Sequence, residues 1–303
     1  LPVSGVGVDI DNVKPALTGV VHMPDQPATG NSVTVSCTAT DLNGIRQVTL
    51  TYIVGGDTAI KHLTMQPSTG SNYETVLPAG DITVNGLSYT IKAQDNRYNT
   101  TISGPHSLSI NFASGELTSN RSGSGLSGGV NMDSWRIISV PGQLDENDPK
   151  EVLNDEVGKR TVERWELWHW LNDKWEFPGG IEPGKGYWFI QWVSPSVSID
   201  PGPGYSVDLT GFTYNLTPGW NIIGNPYTFT AALDLDESKF YGPISYNQGW
   251  SSPNTQLQPW GGYAVYNKGG GTETVSLNMS ASAQNLSREQ VSTPDGWKLN
   301  IGA

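Results

Sequence analysis

The chain has 303 residues and a net charge of −12, with 36 glycines and 20 prolines but only 15% charged residues. So many turn formers beside so few Glu, Lys and Arg exclude a protein of long surface helices, and the length suggests two domains or three. With 17 basic residues against 29 acidic ones, a nucleic-acid partner is not expected, because phosphate binding needs a Lys/Arg surface.

No apolar run approaches the roughly 20 residues of a membrane helix, so membrane insertion is not expected. The chain opens at Leu1 without a signal peptide, as a mature or excised fragment would. Cys37 is the single cysteine, which excludes an intramolecular disulfide and any multi-Cys zinc site and suits a small core residue.

Residues 1–113 read as an immunoglobulin-like β-sandwich. Ser32 to Ala39 alternates strictly, with Val33, Val35, Cys37 and Ala39 on one face. Asp41-Leu-Asn-Gly44 turns the chain into a strand over 45–54, and Gly55-Gly-Asp57 turns it into one over 59–65. Strands follow at 73–77 and 87–93, separated by the Asn85-Gly86 turn signal. Asp41, Asn43, Asp95, Asn96 and Asn99 occupy two turns that would share one end of the sandwich. Carboxylate and amide oxygens are what Ca²⁺ prefers, yet Asn and Asp also favour turns without any ion. A structural calcium is the one cofactor these residues raise.

Thr40-Asp-Leu-Asn-Gly-Ile45 and Ala93-Gln-Asp-Asn-Arg-Tyr-Asn99 carry a resemblance to bacterial immunoglobulin-like or fibronectin-type modules. It covers about a third of the chain. It implies a spacer or adhesion module strung along a surface protein, not an activity.

Residues 114–131, with Ser119-Asn-Arg-Ser-Gly-Ser-Gly-Leu-Ser-Gly-Gly129 at their centre, read as flexible linker. Gly125-Leu-Ser-Gly-Gly129 fits the G-x-S-x-G pattern, but Ser127 lacks the strand before and helix after that a nucleophile elbow needs.

Residues 132–292 hold an internal duplication. Trp135-Arg-Ile-Ile-Ser-Val-Pro141 returns as Trp220-Asn-Ile-Ile-Gly-Asn-Pro226, and Pro183-Gly-Lys-Gly-Tyr-Trp-Phe-Ile190 is answered by Pro259-Trp-Gly-Gly-Tyr-Ala-Val-Tyr266. Each copy alone would leave an apolar sheet face open, so the two should pack as one domain. Within the first copy, the residues predict a strand at 136–140 and a helix over 149–157 ended by Gly158. A hairpin of 162–171 and 174–177 around Asn172-Asp173 follows, then a strand over 186–193. The acidic loop Asp145-Glu-Asn-Asp148 reads as solvated. The stretch resembles β-rich regions near the C-termini of secreted surface proteins of the Bacteroidetes and related phyla, most specifically at Pro218 to Pro226. That resemblance implies an extracellular, surface-attached parent protein using the type IX secretion route. Residues 293–303, with Gly296-Trp-Lys-Leu-Asn-Ile301, look like the start of a further domain.

The four histidines, His22, His62, His106 and His169, show no paired-ligand spacing, and no catalytic constellation stands out. Aromatic rings are the strongest binding signal. Alternation in 162–171 sets Trp168 and Trp170 on one face, with Trp165, Leu167 and His169 on the other. The next strand sets Trp188, Ile190 and Trp192 opposite Tyr187 and Phe189. Such rows either fill a core or, if exposed, suit sugar faces. The expected protein is an all-β, non-catalytic, extracellular spacer, adhesion or substrate-attachment region, whose partners are neighbouring domains of its parent and a polysaccharide or cell-surface glycan. Its rivals are a carbohydrate-binding module of a polysaccharide-degrading enzyme and a secreted hydrolase, which would need a cleft with paired carboxylates.

Overall fold

The computed structural model describes residues 12–120, 130, 132, 134–171 and 174–277. The Ser127 motif, the Asn172-Asp173 turn and the strand expected at 296–301 lie outside them. The protein is all-β and divides into two units, Leu1–Gly55 with Ala59–Ile110 and Gly56–Thr58 with Asn111–Ala303. Among the described residues, no helix is long and apolar enough to cross a membrane.

The first unit comprises β1 (Ala16–Met23), β2 (Val33–Thr40), β3 (Ile45–Val54), β4 (Lys61–Pro67), β5 (Asn72–Leu77), β6 (Leu87–Asp95) and β7 (Thr100–Leu108). Their order, β1-β2-β5-β4-β3-β6-β7, is the strand order of an immunoglobulin-type sandwich, with β4 bonded both to β5 and to β3. The alternation of β2 does what it predicts: Val33, Val35, Cys37 and Ala39 are buried, and they meet Val48, Leu50, Leu87 and Ile91 from β3 and β6. Burying each such aliphatic side chain stabilises the fold by about 1.5–3 kcal/mol, before the entropy of ordering it is counted. Burial also pushes the Cys37 thiol up to about 11, so it stays protonated at neutral pH.

The second unit runs through β8 (Asn111–Phe112), β9 (Arg136–Ile138), β10 (Gln143–Leu144), α1 (Pro149–Val157), β11 (Trp165–Leu171), β12 (Lys174–Glu176), β13 (Tyr187–Gln191) and β14 (Gly204–Tyr205). It continues with β15 (Phe212–Leu216), β16 (Gly219–Gly224), β17 (Ala231–Ala232), β18 (Phe240–Ile244), β19 (Gln256–Leu257), β20 (Gly262–Asn267) and β21 (Glu273–Leu277). Helix α1 has the predicted bounds. Asp148 caps its start by accepting the Lys150 N–H at 2.8 Å, which gives the acidic loop a local role, and Gly158 (φ 73°) ends it. The described parts of the expected linker pack into this unit. Leu117, Ser119 and Val130 are buried, Ser119 N–H donates to Ile199 O, and Val130 bridges Val197.

Corresponding strands of the two motif sets pair in the same register. Ile138 faces Tyr187 as Ile223 faces Tyr263, and Ile137 faces Trp188 as Ile222 faces Ala264. The tyrosines repeat a hydrogen bond too: Tyr187 Oη accepts Glu182 N–H at 2.9 Å, and Tyr263 Oη accepts Gln258 N–H at 2.6 Å. Beyond each Gly-Tyr strand a buried amide holds the next turn. Gln191 Oε1 accepts from Val193 N–H and Ser194 N–H, and Asn267 Oδ1 accepts from Gly269 N–H.

The two sets also cross each other. Ile138 bridges Gly261 while Lys185 bridges Ile223, and Ser139 N–H donates to Trp260 O while Gly224 N–H donates to Gly184 O. This close approach explains the glycine of each Gly-Tyr pair. A Cβ on Gly186 would sit 2.4 Å from Ile223 O, and one on Gly262 would sit 2.7 Å from Ile138 O.

Candidate functional site: an aromatic sheet face

The site is built from β11 outward. Trp165 and Leu167 turn inward and are wholly buried, and Trp165 Nε1 donates to Gly158 O at the end of α1. Alternation sends Trp168 and Trp170 to the opposite face, where both are half-buried. Trp168 lies directly across from Trp188, which lies across from Ile137; Trp170 lies across from Trp175. The second motif set continues the face with Trp220, Tyr266 and Tyr241 in one cross-strand row and Ile222, Ala264 and Ile244 in the next.

Ile137, Trp188, Ile222, Tyr241, Ile244 and Ala264 thus form a buried floor. Trp135, Trp168, Trp170, Trp175, Trp220, Tyr246 and Tyr266 stand half-buried around it, and Trp250 is 37% exposed. The rings interlock edge to face. Trp170 and Trp175 centroids are 4.8 Å apart at 60°, Trp175 and Trp188 are 6.1 Å apart at 84°, and Trp188 and Trp250 are 5.8 Å apart at 86°. The face is therefore ridged rather than flat. Arg160, paired with Glu166, sits 5.9 Å from the Trp168 ring centroid.

Two of the four expected sugar-stacking rings need correction. Trp188 is only 1% exposed, covered by Trp175, Tyr246 and Trp250, so it supports the face and cannot itself meet a ligand. Trp192 is half-buried but lies past Gln191, where β13 ends, so alternation no longer sets it beside Trp188. Trp168 and Trp170 remain. The rings that sequence reasoning left out of the site are Trp135, Trp175, Trp220, Tyr246, Trp250 and Tyr266; Trp175 lies across the expected β11–β12 hairpin, and the others come from segments distant from β11 in the chain. The repeated Trp-x-Ile-Ile motif was the one signal that could have set Trp135 and Trp220 in equivalent places.

A groove of about 590 Å³ opens beside this face, between β11 and the successive strands β15 and β16. Trp170 and Trp220 belong both to the face and to the groove. His169 also lines it; burial holds its imidazole below the usual pKa, and Nδ1 lies 3.1 Å from Gly186 O. Since a carbonyl only accepts, Nδ1 carries the hydrogen and Nε2 is left as an acceptor. Lys185 is paired with Glu182 at 2.7 Å. Among the described residues, no carboxylate lines the groove.

In the first unit the two Asx-rich turns do meet, through Asn96 Nδ2–H donating to Asn43 O at 2.7 Å. Three of their carboxylate oxygens accept N–H groups. Asp95 is buried; its Oδ1 accepts from Arg97 and Asn99 N–H, and its Oδ2 accepts from Asn99 Nδ2. Asp41 Oδ1 accepts Asn43 N–H at 2.8 Å. Asp41, Asn43, Asp95, Asn96 and Asn99 thus build the turns themselves, and no group of three or more His, Cys, Asp or Glu gathers among the described residues. Two histidines expected to be scattered instead flank one ring: His22 Nδ1 lies 3.0 Å from Tyr89 Oη, and His106 stacks on Tyr89 at 5.1 Å.

No protein-family model matches the chain, and no curated protein matches it. Among solved structures, the cycloalternan-degrading enzyme from Trueperella pyogenes in complex with isomaltose is 13% identical at a TM-score of 0.25, over 64% of this chain and 32% of that one. The cycloalternan-forming enzyme from Listeria monocytogenes in complex with a pentasaccharide substrate is 12% identical at a TM-score of 0.28, over 86% of this chain and 30% of that one. The chain spans about a third of the length of each. Likenesses at this level assign neither fold nor activity.

Proposed function

We propose that the chain is a non-catalytic, extracellular attachment region of a larger bacterial surface protein, and that its second unit binds a polysaccharide or cell-surface glycan through the aromatic face. One observation carries this reading: both motif sets, from two neighbouring sheets, gather half-buried indoles into one cluster around a floor that is already closed. Large apolar surface left uncovered marks interaction sites, and aromatic rings with polar edges suit sugars. The immunoglobulin-type first unit supports a spacer role, and the shared strand register supports an origin of the second unit by duplication. Among the described residues the groove lining holds no carboxylate pair of the kind glycoside hydrolysis needs, which supports binding over hydrolysis.

Pull-down on insoluble polysaccharides and a glycan array, using the whole chain, test this. Trp175→Ala and Trp250→Ala should each weaken retention about 30-fold, the effect of losing a binding hot spot worth about 2 kcal/mol, with the circular dichroism spectrum unchanged. Retention equal to wild type in both variants would sink the proposal.

A further inference from the structure

We infer that the ligand of this face is a single, uncharged oligosaccharide chain, which passes from the aromatic ridge into the groove between β11 and the successive strands β15 and β16. The inference rests on the glycan reading above and adds the ligand's class and its path.

Continuity gives the path. Trp170 and Trp220 are the two rings shared by face and groove, so a chain stacked on the ridge meets the groove without crossing a polar rim. The groove's volume, about 590 Å³, lies within the roughly 300–1,000 Å³ of sites that enclose small ligands. Its far wall is a strand edge with hydroxyl and amide groups. Thr213 and Asn215 are both exposed on β15, two residues apart and so on one side. Asn215 Oδ1 accepts from Thr274 Oγ1 at 2.8 Å, which leaves its NH₂ as a donor. His169, also in the lining, has Nε2 left as an acceptor. A donor and an acceptor in one lining, together with two indoles, are what the hydroxyls and apolar faces of a pyranose require.

Charge gives the class. Lys185, the one lysine among the described residues lining the groove, already holds Glu182, and the imidazole of His169 is kept toward its neutral form. An acidic sugar would thus meet no uncompensated cation there, on a chain whose net charge of −12 repels it. Shape excludes a crystalline surface: Trp170 and Trp175 are inclined at 60°, Trp220 and Tyr266 at 63°, and Tyr246 and Trp250 at 69°, so they cannot all lie against one flat sheet of sugars. A single strand, free to turn between residues, can meet them in succession.

Isothermal titration of the whole chain with cellohexaose, maltohexaose, xylohexaose and hexagalacturonate tests the inference, alongside retention on microcrystalline cellulose. Thr213→Trp fills the groove from an exposed position and should preserve folding; Asn215→Asp places a carboxylate in it. The expected result is binding of at least one neutral hexasaccharide, weakened tenfold or more by Thr213→Trp and by Trp175→Ala, with no binding of hexagalacturonate. Neutral binding lost in Trp175→Ala but unchanged in Thr213→Trp and Asn215→Asp overturns the groove while the aromatic-face reading stands. Preference for hexagalacturonate, or retention only on microcrystalline cellulose, overturns the ligand class. Failure of every glycan on both the titration and the array overturns the glycan reading along with it.

Discussion

Gly262→Ala is the sharpest test of how the two motif sets hold each other. The added methyl would lie 2.4 Å from Ile137 Cγ2, 2.7 Å from Ile138 O and 2.9 Å from Ile137 C. The isoleucine methyl can rotate away. The carbonyl cannot, because β9 is bonded in place by β13 on one side and by the Trp260–Gly261 segment on the other. Overpacking costs about 1–3 kcal/mol, and a backbone obstacle puts this case near the top, at about 3 kcal/mol. For a unit of about 150–250 residues that corresponds to a fall of about 6–12 °C in melting temperature. Tryptophan fluorescence isolates the unit concerned, since all 11 tryptophans fall at or after position 135. Gly270→Ala is the control, because its Cβ would meet nothing within 4 Å and should stay within about 0.5 kcal/mol of wild type. If Gly262→Ala melted with that control, the seam would not be constrained as described.

Three further outcomes are expected. Burial alone would raise the Asp81 carboxyl, but the Lys61 ammonium and the Tyr52 hydroxyl at 2.7 Å outweigh it and hold its pKa below the usual value. Its ionised form therefore stabilises the first unit above about pH 4 and ceases to do so as the pH falls through the lowered pKa, so Asp81→Asn should flatten acid melting of that unit; equal slopes would refute this. Glu156 is the opposite case. Burial pushes its pKa up to about 7, against one N–H from Asp200 and with the Asp155 carboxylate adding to the rise. Stability is then lost as the pH climbs through about 7, so Glu156→Gln should raise the second unit's melting temperature at pH 8 and lose that advantage near pH 4; a gain independent of pH would count against it. Finally, Asp95→Ala removes the acceptor of three donors and should lower the first unit's melting temperature more than Asp41→Ala, while millimolar calcium leaves the wild-type curve unmoved; a calcium-dependent rise would restore an ion to those turns.

What was legible in sequence followed strong local signals. Strand Ile45–Val54 and helix Pro149–Val157 have the bounds their turns and caps predict. Strands β1 and β7 were missed because both are edges. The first slips register between Thr18 and Val21, and the second carries Gly104-Pro105 in its middle, so neither alternates cleanly. Trp168 and Trp170 could be assigned to a face because β11 has one face buried more deeply than the other. Every residue of β13 is buried, so its pattern could not tell Trp188 as floor from Trp188 as surface. Trp175 follows from the local hairpin opposite Trp170, but the remaining rings of the face depend on long-range contacts, which no local period reports.

The reciprocal crossing also dictates an order of events during synthesis. Lys185 and Gly186 find their partners only when Ile222 and Ile223 arrive, and Ile138 waits for Gly261. From Ile138 to Gly261 the chain grows by about 120 residues, about 6–25 s at common translation rates of about 5–20 residues per second. Throughout that interval β9 has an open edge beside a forming aromatic face, the kind of strand to which other chains add. Whatever holds the nascent segment apart from its neighbours must do so until the second Gly-Tyr strand emerges.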